Sequence, residues 1–166
     1  MKRSVLALTA LAAPLALVSP VRAIAPPTQY EPYLRATAYI TDTGTTLTWH
    51  RLPVLAGDVP KPLNLEDAKN ACERDSPPGA RLPTMKELLT LVDEDPVPQY
   101  QGKQTVYPTI DIQAFPETPV DRPYWTSTPA KDTGALTVSF ATGKTAPYVG
   151  SVELYVRCVR NVKVSL

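Results

Sequence analysis

His50 is the only histidine of the chain, Cys72 and Cys158 are its only cysteines, and sixteen carboxylates are scattered along it without a repeated spacing. Those facts bound the chemistry. A lone imidazole excludes a multi-histidine metal cluster, and a Ser-His-Asp arrangement would have to take its base from the end of a strand, beside Trp49. There is no C-x-x-C redox pair and no Gly-rich phosphate loop of the Walker or dinucleotide type. Any two carboxylates could converge for glycoside hydrolysis, but no spacing selects a pair. Asp93-Glu94-Asp95 is read as a solvated helix end, since a calcium site needs several oxygen ligands converging on one cation. The expectation is a protein that is not an enzyme and uses no metal and no cofactor.

What the chain offers instead is surface for recognition. Tyr100, Tyr107, Tyr124, Trp125 and Tyr148 surround a long irregular stretch and the turns after it, and aromatic faces with nearby amides and hydroxyls suit sugars or peptide segments. Trp49 and Trp125 read as core. Tyr100, Tyr107, Tyr124, Tyr148 and Arg157 are therefore the candidate ligand-binding residues. Arg81, Arg157 and Arg160 either form a polyanion-binding patch or are used up internally, against carboxylates and loop carbonyls.

The elements that would position these residues can be read from pattern and punctuation. Ala36 to Ile40 and Thr45 to Arg51 are β-branched or aromatic runs around Thr41-Asp42-Thr43-Gly44, the composition of a hairpin. The stretch from Leu52 to Pro62, with three prolines and a glycine, reads as a surface loop. Asn64 is placed to cap a helix carrying Leu65, Ala68, Ala71 and Cys72 on one face. Pro83 holds Leu82 extended, and Thr84 with Glu87 three residues later forms a capping box before Met85, Leu88, Leu89 and Val92. Asp93 to Arg122 shows no sustained period beyond a short "TIDIQAF" of strand or turn, and a loop of that length in a compact domain points either to function or to elements that the pattern does not reveal. Tyr124 to Thr128, Ala135 to Ala141 and Leu154 to Val162 read as strands. In the last of these Leu154, Val156, Cys158 and Val162 share one parity and are expected to face inward, with Arg160 among them.

Export supplies the compartment. Met1-Lys2-Arg3, an apolar run from Val5 to Val18 and Val21-Arg22-Ala23 have the order of a signal peptide, residues 1–23. Pro14 and Pro20 interrupt a run already short for a membrane span, so no integral span is expected after cleavage. Loss of Lys2, Arg3 and Arg22 turns the formal charge from +1 to 14 basic against 16 acidic groups, net −2. A nucleic-acid module would be basic, so no nucleic-acid partner is expected. In an oxidising compartment Cys72 and Cys158 are expected to be joined. Residues 24–35, with "APPTQYEP" at their centre, form an extended lead-in, and 36–166 form one domain.

Six segments in order, "TGTTLTW" (Thr43 to Trp49), "DAKNAC" (Asp67 to Cys72), "RLPTMKELLTLVD" (Arg81 to Asp93), "PTID…FP" (Pro108 to Pro116), "YWTST" (Tyr124 to Thr128) and "YVRCVR" (Tyr155 to Arg160), resemble the Lcl C-terminal domain family. The resemblance implies a C-type-lectin-like or formylglycine-enzyme-like fold and, in some members, adhesins that bind sulfated glycans. Formylglycine-type chemistry would need a reactive cysteine, which a cystine removes, and the Glu-Pro-Asn and Trp-Asn-Asp of a lectin calcium site are replaced by Glu117-Thr118-Pro119 and Trp125-Thr126-Ser127. The family usually writes Asp-Trp before Arg-Leu-Pro, where this chain has Gly79-Ala80.

The element order gives an α+β fold, two helices on a mainly antiparallel sheet with a long irregular region. The functional reading is an exported, noncatalytic binding module, lectin-like or adhesin-like, whose partner is a glycan, a matrix polymer, or an envelope or extracellular protein. A structural subunit of an envelope or appendage assembly and a hydrolase with a carboxylate pair are the two alternatives.

Overall fold

The computed structural model describes residues 29–30, 38–74, 78–101, 104–132 and 134–161. The signal peptide read at 1–23, and the lead-in apart from Gln29 and Tyr30, lie outside them. Along the described chain run β1 (Tyr39–Asp42), β2 (Leu47–His50), β3 (Leu55–Ala56), β4 (Val59–Pro60), α1 (Leu65–Glu73), α2 (Met85–Leu89), β5 (Gln99–Gln101), β6 (Gln104–Val106), β7 (Tyr124–Ala130), β8 (Gly134–Val138), β9 (Thr145–Val149) and β10 (Val159–Asn161). The fold is α+β. Its strands form two three-stranded antiparallel sheets, β1-β2-β10 and β7-β8-β9, and two separate hairpins, β3-β4 and β5-β6.

Both helices start where their caps dictate. The Asn64 side chain accepts from the Asp67 amide at 2.9 Å, with Glu66 and Asp67 in the positive first turn of α1. Thr84 accepts from the Glu87 amide at 3.2 Å while the Glu87 carboxylate accepts from the Thr84 amide at 2.7 Å, the reciprocal capping box. In the first hairpin Asp42 closes the turn, taking the Gly44 amide at 2.9 Å and the Thr45 hydroxyl at 2.8 Å.

The domain has two cores. One gathers Tyr30, Ile40, Trp49, Leu88, Leu91, Phe115, Tyr124, Phe140, Tyr155 and Val159; the other gathers Ala68, Cys72, Ala80, Leu82, Trp125, Leu154, Val156 and Cys158. Both tryptophans are wholly buried, as read. Ala80 lies inside the second core, so the position where the family resemblance places a tryptophan is an interior one. The Cys72–Cys158 disulfide ties α1 to the residue before β10, across Cα atoms 5.5 Å apart.

Four departures from the sequence reading have physical causes. Tyr30, placed in the lead-in, is a core residue, bridging to Asp42 and packing edge-on against Phe115 at 5.2 Å. The strand expected from Leu154 to Val162 is reduced to β10, because residues 154–158 bond in turn to different segments: Leu154 to Leu63, Tyr155 to Pro123 and Trp125, Val156 to Val54 and Cys158 to His50. Leu154 through Val159 are all buried, so this segment is covered on both faces and its parity carries no in-out signal. Arg160 does not face inward; its guanidinium lies 4.8 Å over the Tyr39 ring, and Val162 lies outside the described residues. Finally, β9 was unread because Pro147 sits in its middle, which an edge strand tolerates. At the far end of its ladder Gly134 is obligatory, since a Cβ there would collide with the Tyr148 carbonyl oxygen.

Candidate functional site: an exposed tyrosine hairpin

The irregular stretch after α2 contains an arm. Its foot is closed where the Asp93 amide donates to the Thr109 carbonyl at 2.9 Å and the Thr109 amide donates to the Phe140 carbonyl at 2.7 Å. Between these points β5 and β6 pair antiparallel, with Gln99 opposite Val106 and Tyr100 opposite Thr105. Continuing that register by one residue sets Tyr107 across from Pro98. Because side chains alternate across a strand, Pro98, Tyr100, Thr105 and Tyr107 share one face, and Gln99 and Val106 share the other.

Burial separates the two faces. Gln99 and Val106 are half-buried, whereas Pro98, Tyr100, Thr105 and Tyr107 are all exposed. Tyr100 is 83% and Tyr107 58% exposed. They are diagonal neighbours, a relation that puts Cα atoms about 7–8 Å apart. Neither phenol hydrogen-bonds to a described residue.

The remaining candidates lie elsewhere. Tyr148, on β9, is half-buried against the second core. Tyr124 and Arg157 are wholly buried, which corrects their placement on a binding surface. The Tyr124 hydroxyl donates to the Pro119 carbonyl at 3.1 Å, and burial pushes its pKa far above the ordinary phenol value. Arg157 donates to the His50 and Arg51 carbonyls at 2.7 and 2.6 Å and to the Thr118 hydroxyl at 2.8 Å, with its guanidinium 4.9 Å from the Phe115 ring centroid. Burial pulls its pKa down, opposed by Tyr124 and Tyr30, and among the described residues no carboxylate pairs with it.

A second concavity, a cleft of about 460 Å³, lies beside β2 and is lined by Tyr39, His50, Pro53, Val54, Ala71 and Cys158 among others. The His50 ring meets Tyr39 edge-on at 4.4 Å. No Asp or Glu is among its described lining residues, and Cys158 is held in the disulfide. No group of three or more His, Cys, Asp and Glu able to hold a metal occurs among the described residues.

Arg81 explains why Arg-Leu-Pro precedes α2. Its guanidinium grips Glu87 in a two-point pair at 2.7 and 2.8 Å and reaches Asn161 at 3.0 Å, while its backbone bridges Val159 in both directions at 2.9 Å. One side chain thus joins the helix cap to the edge of the first sheet. The hydrogen bonds from Arg81, foremost, hold the Glu87 carboxyl at a pKa of about 2. A carboxyl depressed in the folded state stabilises fully above its unfolded value, ordinarily 4.5, and that contribution is lost as pH falls toward 2. Glu87→Gln should therefore lower stability near neutral pH and flatten its decline between about pH 4.5 and 2. Chemical unfolding at stepped pH checks this; a decline as steep as the parent's would overturn it.

A family model, that of the Lcl C-terminal domain, matches residues 38–160. The chain belongs to the Lcl C-terminal domain family. Neither the curated proteins nor the solved structures searched give a match. The part of the chain matched to the Lcl C-terminal domain contains both helices, the cystine and the whole tyrosine arm. No helix among the described residues is long and apolar enough to cross a membrane.

The arm itself was missed by periodicity. "QYQ" and "QTV" are too short to stand out between Pro96, Pro98 and Pro108. The signal that could have found it is Gly102-Lys103 between two three-residue runs, a two-residue hairpin signature with glycine first.

Proposed function

We propose that this Lcl C-terminal domain is an exported, noncatalytic binding module, lectin-like or adhesin-like, that engages a glycan, matrix polymer or envelope protein. The observation that carries the reading is the arm: a short hairpin turns two tyrosines to solvent from a foot hydrogen-bonded to the body of the domain. Exposed aromatic faces on an anchored element provide contact area at small entropic cost. Membership in the family and a buried cystine support a domain that works outside the cytoplasm.

The test uses the oxidised mature domain at physiological salt, on an array of neutral and sulfated glycans and on immobilised envelope proteins, with and without calcium. Saturable retention without product release is expected. Turnover of any arrayed glycan, abolished by one Asp or Glu substitution, would replace the binding module with a hydrolase.

A further inference from the structure

The chemistry of the arm narrows the ligand. The exposed face consists of two phenol rings, a proline ring and a threonine, with no charged side chain among them. At the arm's foot stand Asp93, Glu94 and Asp95, and from 93 to 109 the only basic residue is Lys103, so the arm carries a net charge of −2. A sulfated or otherwise polyanionic chain lying along the arm would meet net like charge. Arg157, the cation that would have offset it, is buried and occupied by carbonyls.

Area argues against a protein partner. With a tyrosine offering about 150–250 Å² in all, the two rings at 83% and 58% exposure present roughly 300 Å². Pro98 and Thr105 add to this, yet the face stays well short of the roughly 800 Å² that each side of a stable protein interface contributes. Two flat apolar rings on diagonal neighbours of one hairpin face, each ending in a hydroxyl, instead suit sugar rings of one chain, whose C–H faces are apolar and whose edges are hydroxyls.

Resting on the binding-module reading, we propose that the Pro98-Tyr100-Thr105-Tyr107 face binds an uncharged polysaccharide, with Tyr100 and Tyr107 each stacking on a pyranose ring. The test is titration calorimetry of the oxidised mature domain with cellohexaose, chitohexaose and heparin. The parent protein is compared with Tyr100→Ala/Tyr107→Ala and with Tyr100→Phe/Tyr107→Phe, and circular dichroism confirms the fold of each.

Binding of a neutral hexasaccharide, weakened at least tenfold in the alanine pair and within about threefold of the parent in the phenylalanine pair, is the expected result, a tenfold loss being 1.4 kcal/mol. Heparin bound and both neutral probes ignored would overturn the neutral-ligand assignment while leaving a binding module in place. Neutral binding that survives the alanine pair would overturn the assignment to this face. Silence of all three probes, with an envelope protein retained on the immobilised panel, would overturn the polysaccharide assignment alone. Silence on both would overturn this inference and the binding-module reading together.

Discussion

Arg157→Ala is expected to destabilise the domain by at least about 3 kcal/mol, because three buried or part-buried acceptors lose a charged donor and a hydrogen bond to a charged group contributes about 1.5–3 kcal/mol. The acceptors are the carbonyls of His50 and Arg51 and the hydroxyl of Thr118. Through them one side chain joins the end of β2 to the turn that follows Phe115, and its departure also opens a cavity against Phe115 and Tyr124. A buried ion can cost more than it returns, and apolar replacement of similar size is sometimes neutral. Here the partners are neutral groups, two backbone carbonyls and the Thr118 hydroxyl, that stay behind whatever replaces the arginine, so the loss dominates. Arg157→Met, which restores volume without donors, should recover only the cavity part, and Arg157→Lys should fall short because one ammonium lacks the planar fork that spans these acceptors. Urea unfolding of the three variants checks the order; a methionine variant as stable as the parent would show that the guanidinium's hydrogen bonds contribute nothing net.

The second large effect is expected from the cystine. Cys72→Ser/Cys158→Ser should cost about 4–5 kcal/mol on the chain-entropy account of a loop this long, and roughly 10–20 °C in Tm for a domain of this size. The two positions are 86 residues apart in sequence, and both are buried in the second core with Trp125 and Val156. Differential scanning calorimetry measures the shift, and a thiol assay on denatured, unreduced parent protein should find no free thiol. A shift under about 3 °C would mean that packing around α1 holds that corner without the link.

Much of this architecture was legible because its determinants are local. Asn64 and Thr84 announce α1 and α2 within three residues of themselves, and the first hairpin forms where the pattern places it, although its turn sits at 43–46, two residues beyond the expected Thr41 to Gly44, with Asp42 ending β1 and holding the turn from its side chain. The Cys72–Cys158 link follows from the expected export and from there being two cysteines. What escaped was set at long range. Arg157 in "YVRCVR" reads either as part of a polyanion-binding patch or as used up internally, and only the carbonyls of residues 50 and 51, more than a hundred positions away, decide for the interior. Trp125 reads as core and Tyr124 beside it as a surface candidate, yet both are enclosed, on opposite faces of β7, in different cores. For the site, Tyr100 and Tyr107 were read as candidates from composition alone. The face that groups them depends on the β5-β6 register, which a period search does not detect in strands of three residues.

The segment from Leu154 to Val159 forms part of both cores and touches the chain at residues 50, 54, 63, 81 and 124. An N-terminal fragment ending before it would hold two half-built interiors and could complete neither. Completing either core therefore requires the final stretch of the domain, through contacts of high sequence separation, the kind that slows folding. One inserted segment thus closes both interiors together, so the two are expected to form and fail as a unit.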